Sequence, residues 1–338
     1  MVDLAIVGAG PIGIETAILA KRAGLDYRLL EKGCIVNAIA GYPTYMTFFT
    51  TSERLEVGGH PLVTTTDKPT RKEALDYYRK VVANEGLALT QFTAVTALEV
   101  EDGGFLLRTR GLAPANAGEG EVRARTVAVA TGYFDNPKRL GVPGEDLPNV
   151  SHYYSEAHPF FGRDVTIVGA GSSAADAALD LFRAGARVTM VHRGSDFRHS
   201  LKYWIRPNLE NRVKEGSIVA HFQSVVREIL PDRVVVERAA SGAPGESFDI
   251  PTDQTFLLTG YFASPALLRS AGVALDLGTL AARLDPDTFE TDVPGLFVVG
   301  SAGFGTRTSD VFIENGIVHA RKAMAAIEAR LRRVPSLA

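Results

Sequence analysis

Asp3-Leu-Ala-Ile-Val-Gly-Ala-Gly-Pro-Ile-Gly-Ile-Glu15 is the stretch whose reading decides the fold. Leu4 to Val7 predict a strand, Gly8, Gly10 and Gly13 a tight turn around Pro11, and the residues beyond a helix running to Gly24. A second strand, Tyr27 to Glu31, is expected next. Glu31 follows Gly13 by 18 residues, close to the roughly 20 that separate such a turn from the acid binding a ribose hydroxyl. In that pattern the first glycine makes the turn, the second lets backbone approach a pyrophosphate, and the third lets helix pack on strand. The helix N-terminus offers free N–H groups and the positive end of its dipole to phosphate. The stretch therefore predicts a dinucleotide site.

The same plan returns in the second half. Asp164-Val-Thr-Ile-Val-Gly-Ala-Gly-Ser-Ser-Ala174 is again strand, glycine turn and helix, with the helix reaching Gly185 and a strand over Arg187 to Arg193. Thr-Gly-Tyr-Phe occurs twice, at 131–134 and 259–262, each time closing one of these units. An internal repeat of this kind predicts an α/β chain with two Rossmann-like dinucleotide-binding domains. The apolar strand Gly295 to Gly300 and a terminal helix over Val311 to Arg333 carry no glycine turn of their own. They are expected to complete the first domain, so that the second is inserted in it: 1–140 with 262–338, and 141–261.

Between these landmarks a helix is expected over Arg71 to Glu85, stopped by Gly86. Two hairpins are expected, Thr96–Val100 with Phe105–Thr109, and Val225–Ile229 with Val234–Glu237. Leu112 to Gly120 and Ala239 to Gly245 read as loops, and Val122 to Ala130 and Thr255 to Leu258 as strands. The segment Tyr42 to Phe49 is unusually apolar for a loop, which suits packing on a cofactor ring or on the core edge.

The 338 residues set a prior of two domains, and 46% hydrophobic with 22% charged residues is ordinary for a globular protein. A net charge of −3 gives no bulk attraction to nucleic acid or anionic membrane. No apolar run approaches the roughly 18 residues of a membrane span. The first strand starts close to Met1 and leaves no room for a signal peptide, so a cytoplasmic location is expected. One cysteine, Cys34, excludes an internal disulfide or a C-x-x-C pair, and the seven histidines show no metal spacing.

The two units differ beyond their second strands. Glu31 accepts from a ribose 2′-hydroxyl, which suits FAD or NAD. The second unit has His192-Arg193, then Arg198 and Lys202, where a guanidinium fork suits a 2′-phosphate and hence NADPH.

Together these residues resemble the two-domain flavoproteins of the thioredoxin reductase type. The shared features are Gly8-x-Gly10-x-x-Gly13, Ala130-Thr131-Gly132, Gly169-x-Gly171-x-x-Ala174 with its basic turn, and Pro294-Gly-Leu-Phe-x-x-Gly300. Within that group the chain resembles the bacillithiol disulfide reductase family. The stretches that carry this are Glu31-Lys32-Gly33, Val36-Asn37, Tyr42-Pro-Thr44, Thr47-Phe-Phe49, Ala130 to Pro137, Arg193-Gly-Ser195, Lys202 with Trp204-Ile205 and Pro207, and Phe312-Ile313-Glu-Asn-Gly316. The resemblance implies bound FAD, NADPH as hydride donor and a homodimer. It implies FAD contacts from Gly8, Gly10, Pro11, Gly13, Glu31, Lys32, Asn37, Thr47, Thr131, Gly132, Gly300, Ser301 and Ile313. It implies NADPH contacts from Gly169, Gly171, Ser172, Ser173, Ala174, Arg193, Arg198 and Lys202.

Three positions depart from the pattern. Where thioredoxin reductases carry C-x-x-C, this chain reads Ser151-His-Tyr-Tyr154. Where bacillithiol reductases commonly carry a cysteine in the first turn, it has Ile12, and the Gly-Asp pair that holds a ribityl chain is Gly300-Ser301. Cys34 lies near the expected adenosine end and is expected to be a buried structural residue. His152, Tyr153 and His158 are candidates for a proton donor but read more simply as core or surface. Ser309, Asp310 and Glu314 flank the last helix, with Ser309 as its expected N-cap. The resemblance implies a low-molecular-weight disulfide as acceptor, with a redox protein such as ferredoxin or flavodoxin, a quinone, and oxygen as in flavin monooxygenases as alternatives. A non-catalytic NADPH sensor is the remaining alternative.

Overall fold

The computed structural model describes residues 1–199, 201–240 and 243–333. The chain runs β1 (Val2–Val7), α1 (Pro11–Arg22), β2 (Tyr27–Leu30), α2 (Asn37–Ala40), α3 (Arg71–Glu85), β3 (Leu89–Thr90), β4 (Thr93–Glu101), β5 (Gly104–Gly111) and β6 (Gly118–Val129). It continues β7 (Val150–Ser151), β8 (Asp164–Val168), α4 (Ser172–Arg183), β9 (Arg187–Val191), α5 (Arg206–Lys214), β10 (Val219–His221), β11 (Ser224–Ile229), β12 (Arg233–Ala240), β13 (Ala243–Pro251) and β14 (Gln254–Leu257). It ends α6 (Ala266–Ser270), β15 (Leu296–Val298) and α7 (Ile313–Arg333). Contacts divide it into two compact units. One comprises Met1–Ala40, Met46–Asn136 and the chain from Tyr261 onward; the other comprises Gly41–Tyr45 and Pro137–Gly260.

In the first unit a parallel sheet runs β3-β2-β1-β6-β15. Leu4, Ala5 and Ile6 of β1 are fully buried, as expected of a strand covered on both faces, where an unbroken apolar run replaces alternation. The long strand β6 serves two sets of partners in turn. Its start, Gly118 to Ala124, pairs antiparallel with β5, and its end pairs parallel with β1 and β15. Helix α3 is framed as its sequence demands. Thr70 and Glu73 form a reciprocal capping box, and Gly86 closes the helix in the left-handed region at φ 57°.

The second unit repeats the design. Its parallel sheet runs β10-β9-β8-β14-β7, with a separate meander β11-β12-β13. The small residues of α4 let it lie close on this sheet: Ala174, Ala175, Ala177 and Ala178 are fully buried beside Val165, Ile167 and Met190. The outermost strand differs in origin. β15 comes from late in the chain, whereas β7 comes from the segment entering the second unit.

Several expectations are corrected. Leu112 to Gly120 is not one loop: a 3-10 turn covers Pro114–Asn116 and β6 already begins at Gly118, because β5 offers a ladder through Gly111. Ala239 to Gly245 is not a loop either. β12 runs to Ala240 and β13 starts at Ala243, while residues 241–242 lie outside the described residues. The second hairpin is therefore a three-stranded meander. The last helix starts at Ile313 rather than Val311. Ser309 is not its N-cap; Asn315 instead accepts from the Phe312 N–H at 2.7 Å and donates to the Asp310 carbonyl at 2.9 Å. Of the apolar loop, Phe48 is buried but Tyr45 and Phe49 are exposed.

Candidate functional site

The first glycine turn is built by close approach. Gly8 has φ +107°, and a Cβ there would stand 2.6 Å from the Ala130 carbonyl oxygen. A Cβ on Gly13 would stand 1.9 Å from the Gly8 carbonyl oxygen, so no side chain fits between turn and helix. Around Gly10 the opposite holds: a Cβ would meet nothing within 4 Å. The turn is thus crowded inward and open outward. Helix α1 starts beyond Gly10 with Pro11 in its first turn and no side-chain cap on its N–H groups, which leaves donors directed to an outside acceptor.

Glu31 sits just past β2, nearly fully buried. The Ala9 N–H donates to its Oε2 at 2.7 Å and the Gly33 N–H to its Oε1 at 2.8 Å. Burial pushes its carboxyl above the usual glutamate range against the pull of these two donors. Each oxygen keeps a lone pair for a further donor. Lys32 pairs with Asp135 at 3.0 Å, and Asn37 begins α2 with its Oδ1 3.4 Å from the Cys34 backbone nitrogen. Thr47 is exposed and bridges to Thr70 through backbone. Thr131 and Gly132 come directly after β6, and the Ser301 hydroxyl lies 3.9 Å from where a Gly132 Cβ would be.

Ile12 occupies the base of this turn. Its side chain lies 3.2 Å from a Cβ built on Gly300 and 2.9 Å from one built on Gly316. It is wedged between the 300–301 turn and α7, with Ile313 half-buried one turn earlier. Behind them His319 is buried and stacks on Phe289 at 3.9 Å, and burial pushes its imidazole below the usual value. Cys34 is half-buried rather than buried as expected, with its Sγ 3.5 Å from Asn37 Oδ1. It belongs to the Glu31 end of the arrangement.

The second turn copies the first. Gly169 has φ +137°, and a Cβ would stand 2.4 Å from the Leu258 carbonyl oxygen. Gly171 is open apart from Arg198 Cδ at 3.9 Å. At the third glycine position stands Ala174, whose Cβ lies 3.5 Å from where a Gly169 Cβ would be. Ser172 and Ser173 open α4, again with no side-chain cap. Beyond β9 stand Arg193 and Arg198, both exposed, and the Arg198 N–H donates to the Ala170 carbonyl at 3.3 Å. Burial, with their charges, holds His192 below its usual value. Lys202 lies over the Trp204 ring at 5.3 Å. The structure adds one cation that sequence reasoning missed, Lys138, whose ammonium is pushed down by burial, Arg198 and Arg193. Only its position after the first Thr-Gly-Tyr-Phe could have flagged it.

In the same unit His152 lies 3.4 Å from Glu145, a buried carboxylate that also accepts from the Leu140 and Gly141 N–H groups. Tyr153 and His158 are exposed. Among the described residues no three His, Cys, Asp or Glu side chains gather as a metal site, and no helix is long and apolar enough to cross a membrane.

Both turns fit dinucleotides: crowded within, open at the middle glycine, and leading into uncapped helix N-termini. Comparison with known proteins agrees. Residues 5–300 match the pyridine nucleotide-disulphide oxidoreductase family. The chain is 37% identical over 326 residues to bacilliredoxin reductase Bdr of Bacillus subtilis, covering 96% of this chain and 97% of that one. Among solved structures it is similar to bacillithiol disulfide reductase Bdr of Bacillus cereus, with 37% identity, TM-score 0.92, and 97% and 99% of the two chains covered. The Staphylococcus aureus bacillithiol disulfide reductase Bdr gives 36% identity, TM-score 0.89, and coverage of 97% and 98%.

Proposed function

The chain belongs to the pyridine nucleotide-disulphide oxidoreductase family, and from that premise we propose that it reduces a low-molecular-weight disulfide of the bacillithiol class. It is an FAD-dependent NADPH oxidoreductase. When bound, FAD would supply the two-electron redox chemistry between NADPH and the acceptor.

The unit containing β1 is the FAD domain on this reading, and the unit containing β8 is the NADPH domain. Gly8, Gly10, Pro11 and Gly13 seat the FAD pyrophosphate on α1, and Glu31 accepts from the ribose. Lys32, Asn37 and Thr47 serve the adenosine side. Thr131, Gly132, Gly300, Ser301 and Ile313 serve the ribityl and ring side. Gly169, Gly171, Ser172, Ser173 and Ala174 seat NADPH on α4, with Arg193, Arg198 and Lys202 selecting the 2′-phosphate. The observation that carries this reading is the pairing of two like-built turns with unlike ends: one closes on a buried carboxylate, the other on cations.

Similarity to bacillithiol disulfide reductases supports the disulfide acceptor. Ile12, wedged between Gly300 and Gly316, supplies no thiol there. On this reading bound FAD would serve the acceptor with no thiol at position 12 between them. That same observation favours a second reading, delivery to a redox protein or quinone. We place the enzyme in the cytoplasm as a homodimer; size-exclusion chromatography checks the dimer.

The test is anaerobic mixing of the flavin-loaded enzyme with NADPH. The flavin is expected to bleach and to be reoxidised faster by bacillithiol disulfide than by ferredoxin or a quinone. Faster reoxidation by ferredoxin or the quinone would replace the first reading by the second. An unbleached flavin would remove both.

A further inference from the structure

We infer that Lys138 is a ligand of the NADPH pyrophosphate, a role that rests on the proposed seating of NADPH on the Gly169–Ala174 turn. The backbone of Lys138 is pinned at one place. Its N–H donates to the Gly260 carbonyl at 2.8 Å, and the Thr259 hydroxyl donates to its carbonyl at 2.5 Å. Both partners lie just beyond the end of β14. That strand pairs with β8 through Leu257 and Val168, directly before the glycine turn. The turn itself presses on this end of β14, since Gly169 packs against the Leu258 carbonyl. Lys138 is thus anchored one strand away from the turn that seats the phosphates.

Arg193 stands on the other side. It lies just past β9, which flanks β8 on the edge away from β14. Two strand spacings are about 10 Å, so the stem of Lys138 reaches the turn more readily than the far edge. Arg198, whose Cδ lies over Gly171, stands between them. Burial first, then the charges of Arg198 and Arg193, push the Lys138 ammonium below its usual value. Among the described residues none of the three side chains has a carboxylate partner. Three cations held together without counter-charge repel one another, and the same array attracts a polyanion that spans it. NADPH is such a polyanion: its 2′-phosphate falls to Arg193 and its pyrophosphate, laid along the turn, to Arg198 and Lys138.

The assignment separates Lys138 from Arg193 by ligand. The pyrophosphate is common to NADP⁺ and NAD⁺, whereas 2′-phosphoadenosine has none. Titration of the flavin-loaded holoenzyme with these three compounds tests it. Lys138→Gln is expected to weaken NADP⁺ and NAD⁺ by a similar factor, about tenfold for one charged hydrogen bond, and to leave 2′-phosphoadenosine unchanged. Lys138→Arg is expected to restore most of the loss. Arg193→Ala should weaken NADP⁺ and 2′-phosphoadenosine but not NAD⁺. Unchanged binding in Lys138→Gln, or a loss confined to the 2′-phosphorylated compounds, would overturn the role of Lys138. If Arg193→Ala also fails to separate NADP⁺ from NAD⁺, the seating of NADPH on this turn falls with it. Flavin content and thermal midpoint serve as controls, because a half-buried lysine can be replaced without disturbing the core.

Discussion

Glu31 is a carboxylate held where water hardly reaches it, against two backbone donors. The opposition fixes the sign of its pH behaviour. Burial raises its folded value, so in the cofactor-free protein its contribution to stability is full below the ordinary glutamate value and is lost as pH climbs through the raised one. On the proposed seating of FAD, flavin binding runs the other way, because a ribose hydroxyl would need the ionised acceptor. Affinity for FAD is expected to fall on acidification, beginning above the ordinary glutamate range. Glu31→Gln should bind FAD about tenfold more weakly at neutral pH and lack that acid step, as flavin fluorescence against pH would show. At this scale the sequence was highly legible. Glycine at 8 and 13 is a steric demand visible in one dimension, and the acid is placed by its spacing. Ile12 shows the limit, since its wedge between Gly300 and Gly316 joins residues distant in the chain.

Elements were legible where their ends are local chemistry. Helix α3 has Thr70 before it, Glu73 within it and Gly86 after it, and the structure keeps all three roles. Thr70→Ala removes an acceptor for the Glu73 N–H at 3.2 Å and is expected to cost about 1 kcal/mol. Urea unfolding monitored by circular dichroism checks this, with the apparent NADPH KM unchanged. Strand β13 was not legible. Its first residues, Ala243 to Gly245, read as part of a loop, and only the ladder that β12 offers as far as Ala240 makes them strand. Ser309 misled for a related reason. It has a good capping side chain, but the helix begins at Ile313 and takes Asn315 as its partner.

At the scale of the molecule, two units of one plan have separate cores. Val127, Leu296 and Val298 sit in one, and Ile167, Leu179 and Met190 in the other. Ligands are expected to stabilise them separately. With NADP⁺ at about a hundred times its Kd, binding contributes roughly 2.7 kcal/mol. Hydrogen exchange should slow around the Gly169–Ala174 turn and much less around Gly8–Gly13. Removing FAD should quicken exchange in the Gly8–Gly13 turn and around Gly300. Equal protection of both turns by NADP⁺ would contradict the division of labour. The repeat itself was readable from Thr-Gly-Tyr-Phe at 131–134 and 259–262. The assignment of residues 41–45 to the second unit was not, because it depends on contacts such as Thr44 with Ser155.

The different origins of β7 and β15 set an order of completion during translation. A ribosome releases every strand of the second unit, from β7 through β14, while the first still lacks β15 and α7. The earlier-begun half must therefore wait, its sheet open along the end of β6, until β15 and α7 have followed. Maturation of the nascent polypeptide is in this sense inside-out.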